Sequence, residues 1–172
     1  MKHLVHILLL SALMLLSFSA CDSVFDIHPY DTRVEGATDL NAKNIKLIEE
    51  RCLDKDTMHI AVISDSHQWY KDLEAEIADI NRRDSIDFVI HLGDLTDFGS
   101  TLEYSLARER LLKLRKPFVV MQGNHDCLGT GNEVYAKMFG NNDFSFIVGR
   151  VKCVMINTNA IEYDYSEPVP DF

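Results

Sequence analysis

Apolar and polar positions along this chain switch between two periods, and the switches outline its elements. Met58 to Ser64 is a near-continuous apolar run, the pattern of a strand buried on both faces. Trp69 to Arg83 then carries Leu73, Ile77 and Ile80 at helical spacing, and Phe88 to Leu92 is apolar again. Thr101 to Leu114 puts Tyr104, Ala107, Leu111 and Leu114 on one helical face, and Lys116-Pro117 ends that helix before a third apolar run, Phe118 to Met121. Two consecutive βαβ units follow, which predicts a parallel sheet with right-handed crossovers. Beyond a glycine-rich loop at Gly129 to Gly131, a short helix near Glu133 to Phe139 precedes Phe144 to Val148. A turn at Gly149-Arg150 joins that segment to Val151 to Asn157 as an antiparallel hairpin.

The flanks read differently. Asp39 or Asn41 can cap a helix over Ala42 to Cys52, with Ile45, Ile48 and Cys52 on one face. Asp22 to about Lys43 is polar and irregular, the composition of a tether, and Tyr163 to Phe172 has two prolines and no period. At the start, Met1, Lys2 and His3 form a short basic flank before the apolar run Leu4 to Phe18. That run falls short of the roughly 20 residues that span a bilayer, and the small residues after it match a cleaved secretory signal. Ser19-Ala20-Cys21 resembles the lipobox of bacterial lipoproteins, which implies lipidation of Cys21 and a site in the bacterial cell envelope. The expected organisation is a signal peptide over 1–20, a tether and short helix over 21–57, and a domain over 58–172.

Composition narrows the function. A chain of 172 residues with 47% hydrophobic and 26% charged residues can bury one ordinary core. Removing residues 1–20 takes away one lysine and no acid, so a formal charge of -10 becomes -11. Such an acidic protein is not a general binder of nucleic-acid backbones. Its one basic concentration, Arg108, Arg110, Lys113, Arg115 and Lys116, reads as a solvated helix face. Lipidation of Cys21 would leave Cys52, Cys127 and Cys153, hence at most one disulfide, and their spacing matches no CxxC zinc site.

The candidate chemistry lies in three polar clusters, each just after an apolar run: Asp65-Ser66-His67, Gly93-Asp94-Leu95-Thr96-Asp97, and Gly123-Asn124-His125-Asp126. In open parallel sheets the carboxyl ends of the strands share one rim, so these distant motifs converge. On an extended backbone Asp65 and His67 would point to the same face, offering a hard oxygen and a borderline nitrogen ligand. Asp94 has two oxygens, enough to bridge metal ions about 3.5–4 Å apart. Gly93 and Gly123 allow sharp turns beside it. Asp97 reads as a turn or supporting group, and His91 and His59 as packed histidines. Gly129-Thr130-Gly131-Asn132 lacks the Gly-Lys-Ser/Thr end of a P-loop.

The order Asp-x-His, Gly-Asp-x-x-Asp, Gly-Asn-His-Asp resembles the calcineurin-like metallophosphoesterase family over about Met58 to Asn157. The resemblance implies an α/β fold, here the N-terminal portion of a four-layer αββα sandwich, holding two metal ions of manganese, iron or zinc. It implies that Asp65 and His67 bind one metal, that Asp94 bridges both and that Asn124 binds the other. His125 would steady the phosphoryl oxygen and protonate the leaving group, with Asp126 orienting it, while hydroxide attacks the phosphorus of a phosphoester substrate. The family completes its site with further histidines downstream, whereas the last histidine of this sequence is His125. The expectation is therefore a fragment of a longer phosphoesterase lipoprotein, with the first metal held by three ligands and the second weakly. The alternatives are an intact short enzyme using one metal and a degenerate, non-catalytic surface lipoprotein that acts as a binding module.

Overall fold

The computed structural model describes His6 and residues 28–159. Apart from His6, the expected signal peptide lies outside the described residues, as do Cys21 and the proline-containing tail. Among residues 28–159 there are five strands and four α-helices: α1 (Leu40–Cys52), β1 (Ile60–Ile63), α2 (Tyr70–Arg82), β2 (Phe88–His91), α3 (Thr101–Leu111), β3 (Phe118–Val120), α4 (Gly131–Met138), β4 (Phe144–Val148) and β5 (Val151–Met155). Strands β1, β2 and β3 form a parallel sheet in that order, with Val62 opposite Ile90 and Ile90 opposite Val119. The hairpin β4–β5 is a separate antiparallel pair. The expected pattern of elements is thus observed, with boundaries shifted by a few residues.

Alternation along the central strands sorts the core into two layers. Val89, Phe118 and Val120 face one way, against Leu73, Ile77 and Ile80 of α2, Tyr104, Ala107 and Leu111 of α3, and Val134, Tyr135 and Met138 of α4. Phe88, Ile90 and Val119 face the other way, against Ile48 and Cys52 of α1 and Phe146 and Val148 of β4. Strand β1 differs from its expected burial on both faces. Ile60 and Val62 are 41% and 55% exposed, because the hairpin layer lies over β2 and β3.

Helix α1 has a second task that its sequence pattern hides. Asn41 donates from Nδ2 to the Val120 carbonyl (2.8 Å) and accepts at Oδ1 from the Val120 amide (2.9 Å). Asn44 Oδ1 accepts from the Phe118 amide at 3.0 Å. Two asparagines therefore pair the free edge of β3, where an unpaired strand edge would otherwise need cover. Neither Asp39 nor Asn41 caps the helix as expected. Asp39 occupies the cap position in a left-handed conformation without a side-chain bond, and Asn41 is spent on the strand.

The stretch expected to be a free tether is, from Asp31 to Ala37, fastened to the helices. Its carbonyls at Asp31, Thr32 and Ala37 accept bonds from the Thr101 hydroxyl, the Lys137 ammonium and the Arg108 guanidinium. The basic cluster is accordingly not a plain solvated face. Arg108 and Lys116 are buried, and Arg110 stacks on the Tyr70 ring, 4.4 Å from its centroid. His59, expected to be packed, is exposed, and its backbone is what is engaged: its amide donates to the Asp87 carboxylate at 3.0 Å and its carbonyl accepts from the Asp87 amide at 2.8 Å. Cys52 and Cys153 are free thiols, and the Cys127 sulfur donates to the Gly123 carbonyl at 3.4 Å.

Candidate metal centre

The three clusters occupy the loops that leave the carboxyl ends of β1, β2 and β3, so the parallel sheet delivers all of them to one rim. Asp65, His67 and Asp94 each offer a ligand atom, and these atoms lie within 4.8 Å of one another. The backbone does this by a route other than the extended one expected. Asp65, His67 and Asp94 have φ values of 55°, 42° and 53°, and with Asp39 they are the non-glycine residues with positive φ among the described residues. A left-handed conformation at a residue with a side chain costs of order 1–3 kcal/mol, and it persists only where the surroundings over-determine it. Here the Asp65 amide donates to the Gly93 carbonyl and the His67 amide to the Asp94 carbonyl, both at 3.0 Å. Each bent loop thus braces the other.

The two glycines are required by contact. A Cβ on Gly93 would stand 2.4 Å from the Gly123 nitrogen, and one on Gly123 would stand 2.2 Å from Asp94 Oδ1. Gly93 also has φ 108°, which side chains rarely adopt. The loops after β2 and β3 therefore pass face to face, and the His125 amide donates to Asp94 Oδ1 at 3.0 Å. Asn124 is exposed at the start of the short 3-10 turn His125–Cys127, on the same rim.

The histidine rings are steadied by Asp97. His67 Nδ1 lies 2.9 Å from Asp97 Oδ1 and 3.1 Å from the Thr96 carbonyl, so Nδ1 carries the proton and Nε2 is left as the ligand atom. His125 Nδ1 lies 3.0 Å from the Asp97 carbonyl, and the two rings meet edge to face at 4.9 Å. That carbonyl raises the His125 pKa against the opposing effect of burial, and the nearby carboxylates of Asp94, Asp97 and Asp126 add smaller upward pushes. Asp97 is thus the supporting group that the sequence suggested.

Asp126 does not hold His125 by a hydrogen bond, as expected. Its buried carboxylate accepts from the amides of Leu95 (3.2 Å), Thr96 (2.9 Å) and Gly123 (3.1 Å) and from the Thr96 hydroxyl (2.8 Å). Burial pushes its pKa up, against the pull of those donors. The orienting role falls instead to the Asp97 carbonyl. His91 is packed as read. The Gly93 amide donates to its Nδ1 at 3.2 Å, so Nε2 carries the proton toward Ser66 Oγ, also at 3.2 Å, and burial lowers its pKa to about 4.

Glu103 went unnoticed in the sequence. It closes a capping box with Ser100 at the start of α3, and its carboxylate also accepts from the Asp97 amide (3.2 Å) and Gln68 Nε2 (3.1 Å). The Ser-x-x-Glu spacing from Ser100 was the available signal.

The family described as Calcineurin-like phosphoesterase matches this chain over residues 58–165. A stretch of 46 residues is 46% identical to a protein of Arcobacter nitrofigilis described as probable glycerophosphodiester phosphodiesterase GpdQ. That match covers 27% of this chain and 17% of the relative, so the chain aligns with under a fifth of that protein's length.

Proposed function

The chain belongs to the calcineurin-like phosphoesterase family, and from that premise we propose that it hydrolyses phosphoesters at a metal centre built on Asp65, His67 and Asp94. Its mixed α/β layers agree with the N-terminal part of the metallophosphoesterase fold. The observation that carries the proposal is the convergence of three ligand atoms within 4.8 Å on loops whose backbones are bent for that purpose. Two carboxylates and one imidazole suit manganese, iron or zinc, and three protein ligands leave positions open for water and substrate. When bound, such an ion would neutralise charge on a phosphoryl oxygen and acidify a water.

This chain's own residues do the rest. Asp94 Oδ1 receives the His125 amide, which aligns the loop after β3, and the Asp94 carboxylate would help to hold the metal. A second ion would lie between Asp94 and Asn124, held more weakly by one carboxylate and one amide oxygen. With Nδ1 held by the Asp97 carbonyl, His125 presents Nε2 to the substrate, and its raised pKa favours the protonated form that a leaving group needs. The name of the relative points to phosphodiesters, which we propose as the first substrates to try. We also propose that residues 1–20 are removed and Cys21 is lipidated, on the apolar run and Ser19-Ala20-Cys21 alone, which would place the site in the cell envelope.

The test is manganese-dependent hydrolysis of bis(p-nitrophenyl) phosphate and p-nitrophenyl phosphate, with metal content measured alongside. Asp94→Asn is expected to lower the rate roughly 10- to 100-fold, and firm metal binding near one ion per chain is expected. Equal rates for the two proteins would overturn the enzyme. Metal bound without hydrolysis would favour the non-catalytic binding module.

A further inference from the structure

Two cavities flank the rim. One, of about 370 Å³, is lined by Asp65, Asp72 and Glu76, and three carboxylates would repel a phosphate ester. The other is a groove of about 800 Å³ between residues 28–35 and the start of α3, in the size range of small-molecule sites. Its residues include Pro29, Tyr70, Phe98, Leu102 and Leu106. Phe98 and Leu102 are 68% and 47% exposed, a pair of large apolar side chains left in water beside a polar rim.

Two of its three carboxylates are already spent, and the third, Glu35, is exposed. The Asp31 carboxylate is paired with Arg33 at 2.7 Å, and the Glu103 carboxylate is filled by Gln68, Ser100 and the Asp97 amide. The groove lies beside the metal centre. Its Glu103 carboxylate accepts from the Asp97 amide at 3.2 Å, and the Asp97 carboxylate lies 2.9 Å from His67 Nδ1. In its wall the Tyr70 hydroxyl is buried without a hydrogen-bond partner among the described residues. The wall formed by residues 28–35 lies upstream of the family match at 58–165, so membership does not supply it.

We propose that this groove seats the alcohol portion of the substrate, and that the preferred substrates are phosphoesters of apolar, hydrocarbon or aromatic, alcohols; the proposal rests on the phosphoesterase reading. Calorimetric titration of the whole chain with phenylphosphonate and methylphosphonate, with manganese present, tests it. Burying about half of a phenyl ring predicts on the order of tenfold tighter binding of phenylphosphonate, and Phe98→Ala or Leu102→Ala should bring the two ligands within about twofold. Both side chains are largely in solvent, so the variants should fold. Ser105→Trp, which fills the groove from α3, should weaken phenylphosphonate selectively.

Equal affinities in the unaltered chain, no phenylphosphonate binding, or a ratio that the variants leave unchanged would overturn the groove. The phosphoesterase reading is tested separately, by whether methylphosphonate binding needs manganese and is lost in Asp65→Asn. If that fails while phenylphosphonate still binds in a Phe98-dependent way, the apolar site stands and the metal chemistry falls.

Discussion

The carboxylate of Asp126 receives four hydrogen bonds, three of them from backbone amides in the loops after β2 and β3. Thr96, which supplies two of the four, also presents its carbonyl to His67 Nδ1. Asp126 therefore positions the metal centre through two loops rather than through His125. An asparagine would keep one acceptor and, in either orientation, turn its amino group on at least one backbone amide, which cannot accept. Asp126→Asn is expected to cost about 3 kcal/mol in urea unfolding, since it breaks buried bonds to a charged group, and to weaken manganese binding at least about tenfold. Unchanged manganese affinity in a folded Asp126→Asn protein would show that the loops hold their shape without it.

At the scale of elements, the strand edges matter most. Strand β3 is short, three residues, and one edge is paired by β2 while the other is paired by two side chains of α1. Asn41→Leu would fill similar space yet leave the Val120 amide without its acceptor, because the Tyr135 hydroxyl bonds only the carbonyl of that residue (2.6 Å). The expected loss is about 2 kcal/mol in chemical denaturation, and a neutral substitution would mean that the edge is satisfied in some other way. Periodicity made the three strands, the crossovers and the hairpin legible, because each element follows from which neighbours are apolar. It could not reveal Asn41 and Asn44, since a polar residue on a helix reads as solvent-facing until the partner strand is known. The same limit explains the site. Asp65, His67 and Asp94 were legible as types at strand ends, but the left-handed turns that bring them together depend on bonds between loops some 28 residues apart in sequence, as between Asp65 and Gly93.

For the molecule as a whole, His91 sets an acid limit. It is buried at the end of the central strand with its pKa lowered to about 4, whereas an exposed histidine titrates near 6.5. Above pH 6.5 both folded and unfolded chains carry it neutral, and its contribution to stability is complete. As the pH falls from 6.5 toward 4, the unfolded chain takes up a proton that the folded chain refuses, and about 3 kcal/mol is lost across that window. Other groups act elsewhere or in the opposite sense. Asp87, with its pKa lowered by Lys55, the His59 amide and Arg51 despite burial, costs stability only at lower pH. His125 and Asp126, with raised values, favour the folded chain as protons are added. His91→Gln, which can still accept from Gly93 and donate to Ser66, separates these effects. Urea unfolding in a chelator, at steps between pH 7 and pH 4, should show a steeper decline for the unaltered chain than for the variant. Parallel profiles would mean that another group, not the buried imidazole, sets the acid limit of the fold.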